Sequence, residues 1–236
     1  METKQELQES FLNGRMLLVD KPYQWTSFDV ANKIKHLLKF RLGIPKIRIG
    51  HAGTLDPLAT GLLIICTGKF TKKISEFQEL DKTYTGTFCL GQTTPSFDLE
   101  TQPGNLKPID HVTAELLMKT AEIMTGVQSQ TPPLYSAKKI GGERAYMHAR
   151  KGEKTILKPN TIEIKRFDIT KIDLPEVDFQ VVCSKGTYIR SLASDFGIML
   201  GTGAYLQSLR RTKIGTYSSE EALKVDQLEE MMTFDG

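Results

Sequence analysis

Apolar positions along the chain alternate, or recur every three to four residues, in blocks separated by Gly, Pro, Asp and Ser clusters, and each block predicts one element. RMLLVDKP predicts a strand over residues 15–19, ended in a turn by Asp20 and Pro22. Thr26 or Ser27 then caps a helix whose Val30, Ile34, Leu37 and Leu38 form one stripe, so the intervening lysines face outward. The unbroken run LLIICTG predicts a buried strand over 62–66, and TKKISEFQEL a short helix or turn. In KTYTGTFCLG the two-residue period puts Tyr84, Gly86, Phe88 and Leu90 on one face of a half-buried strand. Residues 91–108 are polar and aperiodic, a long loop. Thr113 caps the helix AELLMKTAEIM, with Val112 and Leu117 placed as a staple. Two strands, TIEIKRFDI and DFQVVC, lead through SKG and TYI, where Arg190 falls at a strand end, into a helix at SLASDFGIML. A strand KIGTYS follows Arg210 and Arg211, which either face a ligand or form a solvated turn. This order fits an α+β fold with a largely antiparallel sheet, without repeats or heptads.

Composition narrows the class. A length of 236 residues with 39% apolar content permits one large domain or two small ones with a real core. No run of eighteen apolar residues occurs, and METKQELQESFLNG lacks the apolar stretch of a signal peptide and the acid-poor character of a transit peptide, so a soluble, cytoplasmic protein is expected. Cys66, Cys89 and Cys183 sit in apolar runs without CxxC spacing and are read as core residues, not as a disulfide framework or metal knuckle. Residues 220–236 carry six acids against Lys224, a net of −5, which leaves +8 for the preceding residues of a chain whose overall charge is +3. Lys33, Lys35, Lys39, Arg41, Lys46 and Arg48 occur with no acid between Val30 and Leu55, and a second basic segment spans 138–158. Either a nucleic-acid surface or an ordinary solvated face accounts for these runs.

The candidate chemistry centres on RIGHAGTLDPLATGLLIICTGKFTKK, which sets one carboxylate, Asp56, and one histidine, His51, in a Gly-rich basic turn ahead of the buried strand. A lone carboxylate amid positive charge suits a nucleophile that meets a polyanion, although Asp before Pro is also a common turn former. His51 can serve proton transfer, stack on a base, or be structural. Arg190 can form a surface salt bridge, or pair through its fork with a buried carboxylate and with phosphate. The segment from Thr125 to Gly152 combines prolines, aromatics and bases in a way that can clasp RNA.

Five ordered motifs then carry a resemblance to the TruB family of tRNA pseudouridine synthases. LLVDKPYQWTSFDVANKI resembles the family's first motif, GHAGTLDPLATGLLIICTGKFTK its catalytic motif and DKTYTGTFCLGQTTPSFD its tyrosine motif. QTPPLYSAKKIGGERAYMHARKG resembles the RNA-clasping insertion, and SKGTYIRSLASDFG the arginine motif. The resemblance implies a pseudouridine synthase catalytic fold: a large mixed, mostly antiparallel sheet with flanking helices over 1–236, an RNA-clasping insertion near 125–152, and no separate PUA domain. It implies Asp56 as nucleophile, Arg190 as its ion-pair partner and Tyr84 against the target uracil. His51, Lys21, Lys72, Tyr188, Leu209, Lys138 and Arg144 are implied to bind substrate. The partner implied is the T arm of tRNA, whose uridine 55 is isomerised, by a monomer with no membrane and no obligate protein partner. No cofactor or metal is implied, since nothing is oxidised and no group enters or leaves. The alternative is a tRNA folding chaperone with dispensable catalysis.

Overall fold

The computed structural model describes residues 3–104, 106–135 and 157–234, together with the backbone of two short strands at 139–140 and 143–144. Nine strands form one sheet with the order β1-β3-β10-β4-β9-β8-β5, with β2 pairing to β3 and β11 to β10. The sheet is mixed, as expected of the fold, and every ladder described below is antiparallel. By contact density the chain divides into two compact units, Met1–Thr83 with Arg210–Gly236, and Tyr84–Leu209.

The first unit contains α1 (Lys4–Asn13), β1 (Met16–Lys21), α2 (Ser27–Phe40), β2 (Ile49–His51), β3 (Ala59–Thr67), a 3-10 turn (Gly68–Lys73) and α3 (Ile74–Glu79). It also takes the end of β10 (Ala204–Ile214), β11 (Tyr217–Ser218) and α6 (Val225–Met231). Strand β1 lies antiparallel to β3 from Met16 opposite Cys66 to Lys21 opposite Gly61. The apolar run in β3 does not alternate because both its faces are covered. Leu63 and Ile65 pack with Val30, Ile34, Leu37 and Leu38 of α2, whereas Leu62, Ile64 and Cys66 pack with Ala52, Phe77 and Ile214. Gly61 has a φ of +102°, and a Cβ there would collide with the backbone of Arg211, so β3 needs a residue without a side chain at that crossing.

The second unit contains most of β4 (Lys82–Leu90), then α4 (Ala114–Ile123), β5 (Gly126–Gln130), β6 (Lys139–Ile140), β7 (Glu143–Arg144), β8 (Asn160–Asp173), β9 (Glu176–Cys183), α5 (Ile189–Met199) and the start of β10. Strands β8 and β9 form a long antiparallel pair whose register shifts between Ile164 and Arg166 and again between Ile169 and Lys171. Phe88, Phe167, Phe179 and Phe196 meet in its core, with the Phe88 and Phe179 rings stacked at 4.1 Å. All three cysteines are buried, as expected of core residues.

Several boundaries differ from the sequence reading. Arg190 stands in the first turn of α5, not at a strand end, because Tyr188 is the N-cap and the helix begins at Ile189. Arg210 and Arg211 lie within β10 and not in a turn ahead of it, since that strand already starts at Ala204. The polar loop over 91–108 is well packed where Thr94, Ser96 and Asp98 are buried. Helices α1 and α6 were not expected. Much of the RNA-clasping segment, including Lys138, lies outside the described residues, and of Arg144 only the backbone of β7 is described.

Candidate functional site

In the first unit Asp56 sits on the loop between β2 and β3, and the peptide groups around it are tied to the β1–α2 turn. The buried Ser27 hydroxyl accepts from the Leu55 N–H at 2.8 Å and donates to the Leu55 carbonyl at 3.2 Å. On the other side, the Pro57 carbonyl accepts from the Gln24 N–H at 2.9 Å and from Lys21 Nζ at 3.3 Å, and the Asp56 carbonyl accepts from the Ala59 N–H at 3.1 Å. Gln24 holds this place at a φ of 65°, a left-handed conformation that costs a non-glycine residue about 1 kcal/mol or more.

Lys21 has no exposed surface, and its ammonium also donates to the carbonyls of Pro22 at 2.9 Å and Trp25 at 2.6 Å. Burial pushes its pKa down to about 8, against the opposing pull of Asp56. Lys21 therefore holds the loop from within and does not present a charge at the surface, a different position from the substrate contact expected of it. Arg211, 1% exposed, donates through Nε to the Leu62 carbonyl at 2.8 Å and through Nη2 to that of Gly53 at 3.1 Å, bracing the same loop from behind. Arg210 makes a two-pronged pair with Asp20 at 3.0 and 2.8 Å. His51 ends β2 half-buried, and burial, aided by the Arg211 charge, lowers its pKa so that the ring favours its neutral form. Lys72 is exposed on the 3-10 turn after β3. A cavity of about 440 Å³ beside the turn is lined by Asp20, Lys21, Trp25, Thr60, Arg210 and Lys224, and Asp56 is not part of its wall.

In the second unit Tyr84 is buried on β4, and Leu209 is half-buried on β10. Arg190, 3% exposed, pairs through Nε with the buried Asp98 carboxylate at 3.5 Å. It also donates to the main-chain carbonyls of Ser96 at 3.2 Å and Tyr135 at 2.8 Å. Phe97, between the two loop residues that meet Arg190, is the other described non-glycine residue at positive φ. The N-cap Tyr188 is fixed by the Gln130 carboxamide, which accepts from its N–H at 2.8 Å and donates to its carbonyl at 3.1 Å. The structure thus brings Lys21, His51 and Asp56 together in one unit, and Arg190 with Tyr188 in the other. Three residues with evident positioning contacts, Ser27, Asp98 and Gln130, were not singled out as site residues by the sequence reading, and Arg211, read as facing a ligand or a solvated turn, instead braces the loop from a buried position.

Comparison with known proteins bears on what these two constellations serve. Residues 35–189 match the family model described as TruB family pseudouridylate synthase, N-terminal domain, and residues 190–235 match the tRNA pseudouridylate synthase B C-terminal domain. The chain is 53% identical over 225 residues to tRNA pseudouridine synthase B of Flavobacterium johnsoniae, covering 95% of this chain and 98% of that protein. It is 49% identical over 223 residues to the protein of the same name from Phocaeicola vulgatus, covering 94% and 95%. Among solved structures, a chain of a Cbf5-Nop10-Gar1 complex superposes with a TM-score of 0.72 at 26% identity. The match covers 97% of this chain, which spans 56% of the solved one. An archaeal box H/ACA Nop10-Cbf5 complex, at TM-score 0.69 and 24% identity, shares the fold. The family matches, which together span residues 35–235, and the 53% identity over nearly the full length of a curated member establish that the chain belongs to the TruB family of pseudouridylate synthases.

Proposed function

We propose that this chain isomerises uridine 55 in the T loop of tRNA to pseudouridine, with Asp56 as the nucleophile. The observation that carries the proposal is the 53% identity to a tRNA pseudouridine synthase B across 98% of that protein's length. The chemistry agrees with the residues. The C1′–N1 glycosidic bond breaks, the uracil turns within its pocket, C5 bonds to C1′, the C5 proton leaves and N1 ends protonated, so atoms balance without a co-reactant. A carboxylate can open the sequence by attack at C1′, by attack at C6 of the base, or by assisting loss of the C2′ proton. In this proposal Arg190 is the ion-pair partner of Asp56, and Tyr84 stacks on the flipped uracil and serves removal of the C5 proton. His51, Lys72, Tyr188 and Leu209 contact the RNA, and the segment near 125–152, with Lys138 and Arg144, clasps the T arm of tRNA. The whole of 1–236 acts as one catalytic domain, monomeric and cytoplasmic. A chaperone role without catalysis is not favoured, because the curated relatives carry the name of a synthase.

The test incubates purified protein with an unmodified T-arm hairpin, without added metal or nucleotide, and maps pseudouridine at single-nucleotide resolution. Wild type is expected to convert the one T-loop uridine, and Asp56→Ala to bind the hairpin within a few-fold of wild type yet convert none. Conversion by D56A at the wild-type rate, or binding by wild type without conversion of hairpin or full tRNA, would overturn the proposal.

A further inference from the structure

Helix α2 begins with two adjacent hydroxyl residues, and only one of them caps it. Thr26 takes the N-cap, its side chain accepting from the Asp29 N–H while the Asp29 carboxylate accepts from the Thr26 N–H, so both halves of the capping box are filled. The hydroxyl of Ser27 has no duty within its own helix. It reaches 28 residues along the chain to Leu55 and satisfies both main-chain groups of that residue, the one immediately before Asp56. Ser27 is 2% exposed and Leu55 3%, so water has no access to replace the hydroxyl if it is removed.

The peptide on the far side of Asp56 is held by the same segment, through Gln24 N–H and Lys21 Nζ on the Pro57 carbonyl. Asp56 is thereby suspended between two anchors that both belong to residues 21–27. A reacting group must be held to within about 0.5 Å of its productive place, and an error of about 1 Å can cost on the order of 100-fold in rate.

We propose that Ser27 is a positioning residue for the reaction, fixing the Leu55–Asp56 peptide, and hence the carboxylate, from the first turn of α2. The inference rests on the proposed function and names a residue that acts through Asp56 without touching RNA. Its signature is a rate effect separated from binding.

The experiment compares Ser27→Ala and Ser27→Thr with wild type on the T-arm hairpin, measuring single-turnover rate, hairpin Kd and hydrogen exchange at the Leu55 amide. Ser27→Ala is expected to slow the chemical step about 10- to 100-fold with Kd within about twofold, and to speed Leu55 exchange at least tenfold. Ser27→Thr, which keeps the hydroxyl, is expected to recover most of the rate and the protection. An S27A protein with wild-type rate and unchanged Leu55 exchange would overturn the inference, as would S27T behaving like S27A. A wild type that converts no uridine would overturn the proposed function instead, and Leu55 exchange would still report whether Ser27 fixes the loop.

Discussion

Asp98 and Arg190 are the one pair of opposite charges, among the described ion pairs, in which both side chains are almost wholly buried. A buried charge deprived of its partner is far costlier than an exposed one, typically about 3–5 kcal/mol. Asp98→Ala removes one of several groups that hold the buried Arg190, while the Ser96 and Tyr135 carbonyls still accept from it, so it is expected to destabilise the protein by about 1–3 kcal/mol, below that range. Urea unfolding read by circular dichroism measures this, and a loss under 1 kcal/mol contradicts it. Lys21 gives a second expectation with a definite sign. Its folded pKa is about 8, below the ordinary 10.5, so between those values the unfolded chain binds more protons than the native one. Stability therefore rises with pH through that window, by on the order of 3 kcal/mol from this group alone. Lys21→Met should flatten the rise relative to wild type, and parallel stability curves from pH 8 to 10.5 would contradict it. Asp56 stood out in the sequence as a candidate because it is the lone acid in a basic, Gly-rich stretch. Ser27, Asp98 and Gln130 did not, because each is defined by a bond to main chain or charge 28 to 92 residues away, and nothing local distinguishes them.

At the level of elements, legibility followed the strength of the local pattern. Helix α2 announced itself by a capping Thr and a clean apolar stripe, and β3 by a run that only a strand covered on both faces requires. Helix α6 offered neither, being seven residues dominated by polar and acidic side chains. It is held by two fully buried residues, Leu228 within it and Met232 just after it, which join the core built on α2 and β3. Its carboxylate at Glu229 reaches Lys33 at 2.7 Å and Arg41 at 3.7 Å, so the acidic end of the chain lies on part of its basic run. The two kinds of contact differ in weight. Leu228→Ala should cost about 2–5 kcal/mol through a lost side chain and a cavity. Glu229→Gln, at an exposed pair screened by solvent, should cost distinctly less. Thermal melts of the two variants test this ordering, and a larger loss for E229Q than for L228A would reverse it.

Across the whole chain, charge is segregated more than the net value of +3 implies. The run from Val30 to Leu55 contains no acid of its own, and the structure supplies one from elsewhere, Glu229, to Lys33 and Arg41. Lys35 and Lys39 remain exposed on the outer side of α2, opposite the stripe that packs on β3. An enzyme acting on tRNA gains affinity by releasing counterions from phosphates, and each such contact adds about 0.7–0.9 to the slope of log K against log salt. If α2 follows the RNA backbone, the double variant Lys35→Gln, Lys39→Gln should lower the magnitude of that slope by about 1.5, with little change in single-turnover rate at saturation. Anisotropy titrations of a labelled T-arm hairpin across about 50–200 mM salt measure it. An unchanged slope would place this face off the RNA path and leave its lysines as a solvated surface, whereas a loss confined to rate would tie α2 to the chemistry through Ser27 alone.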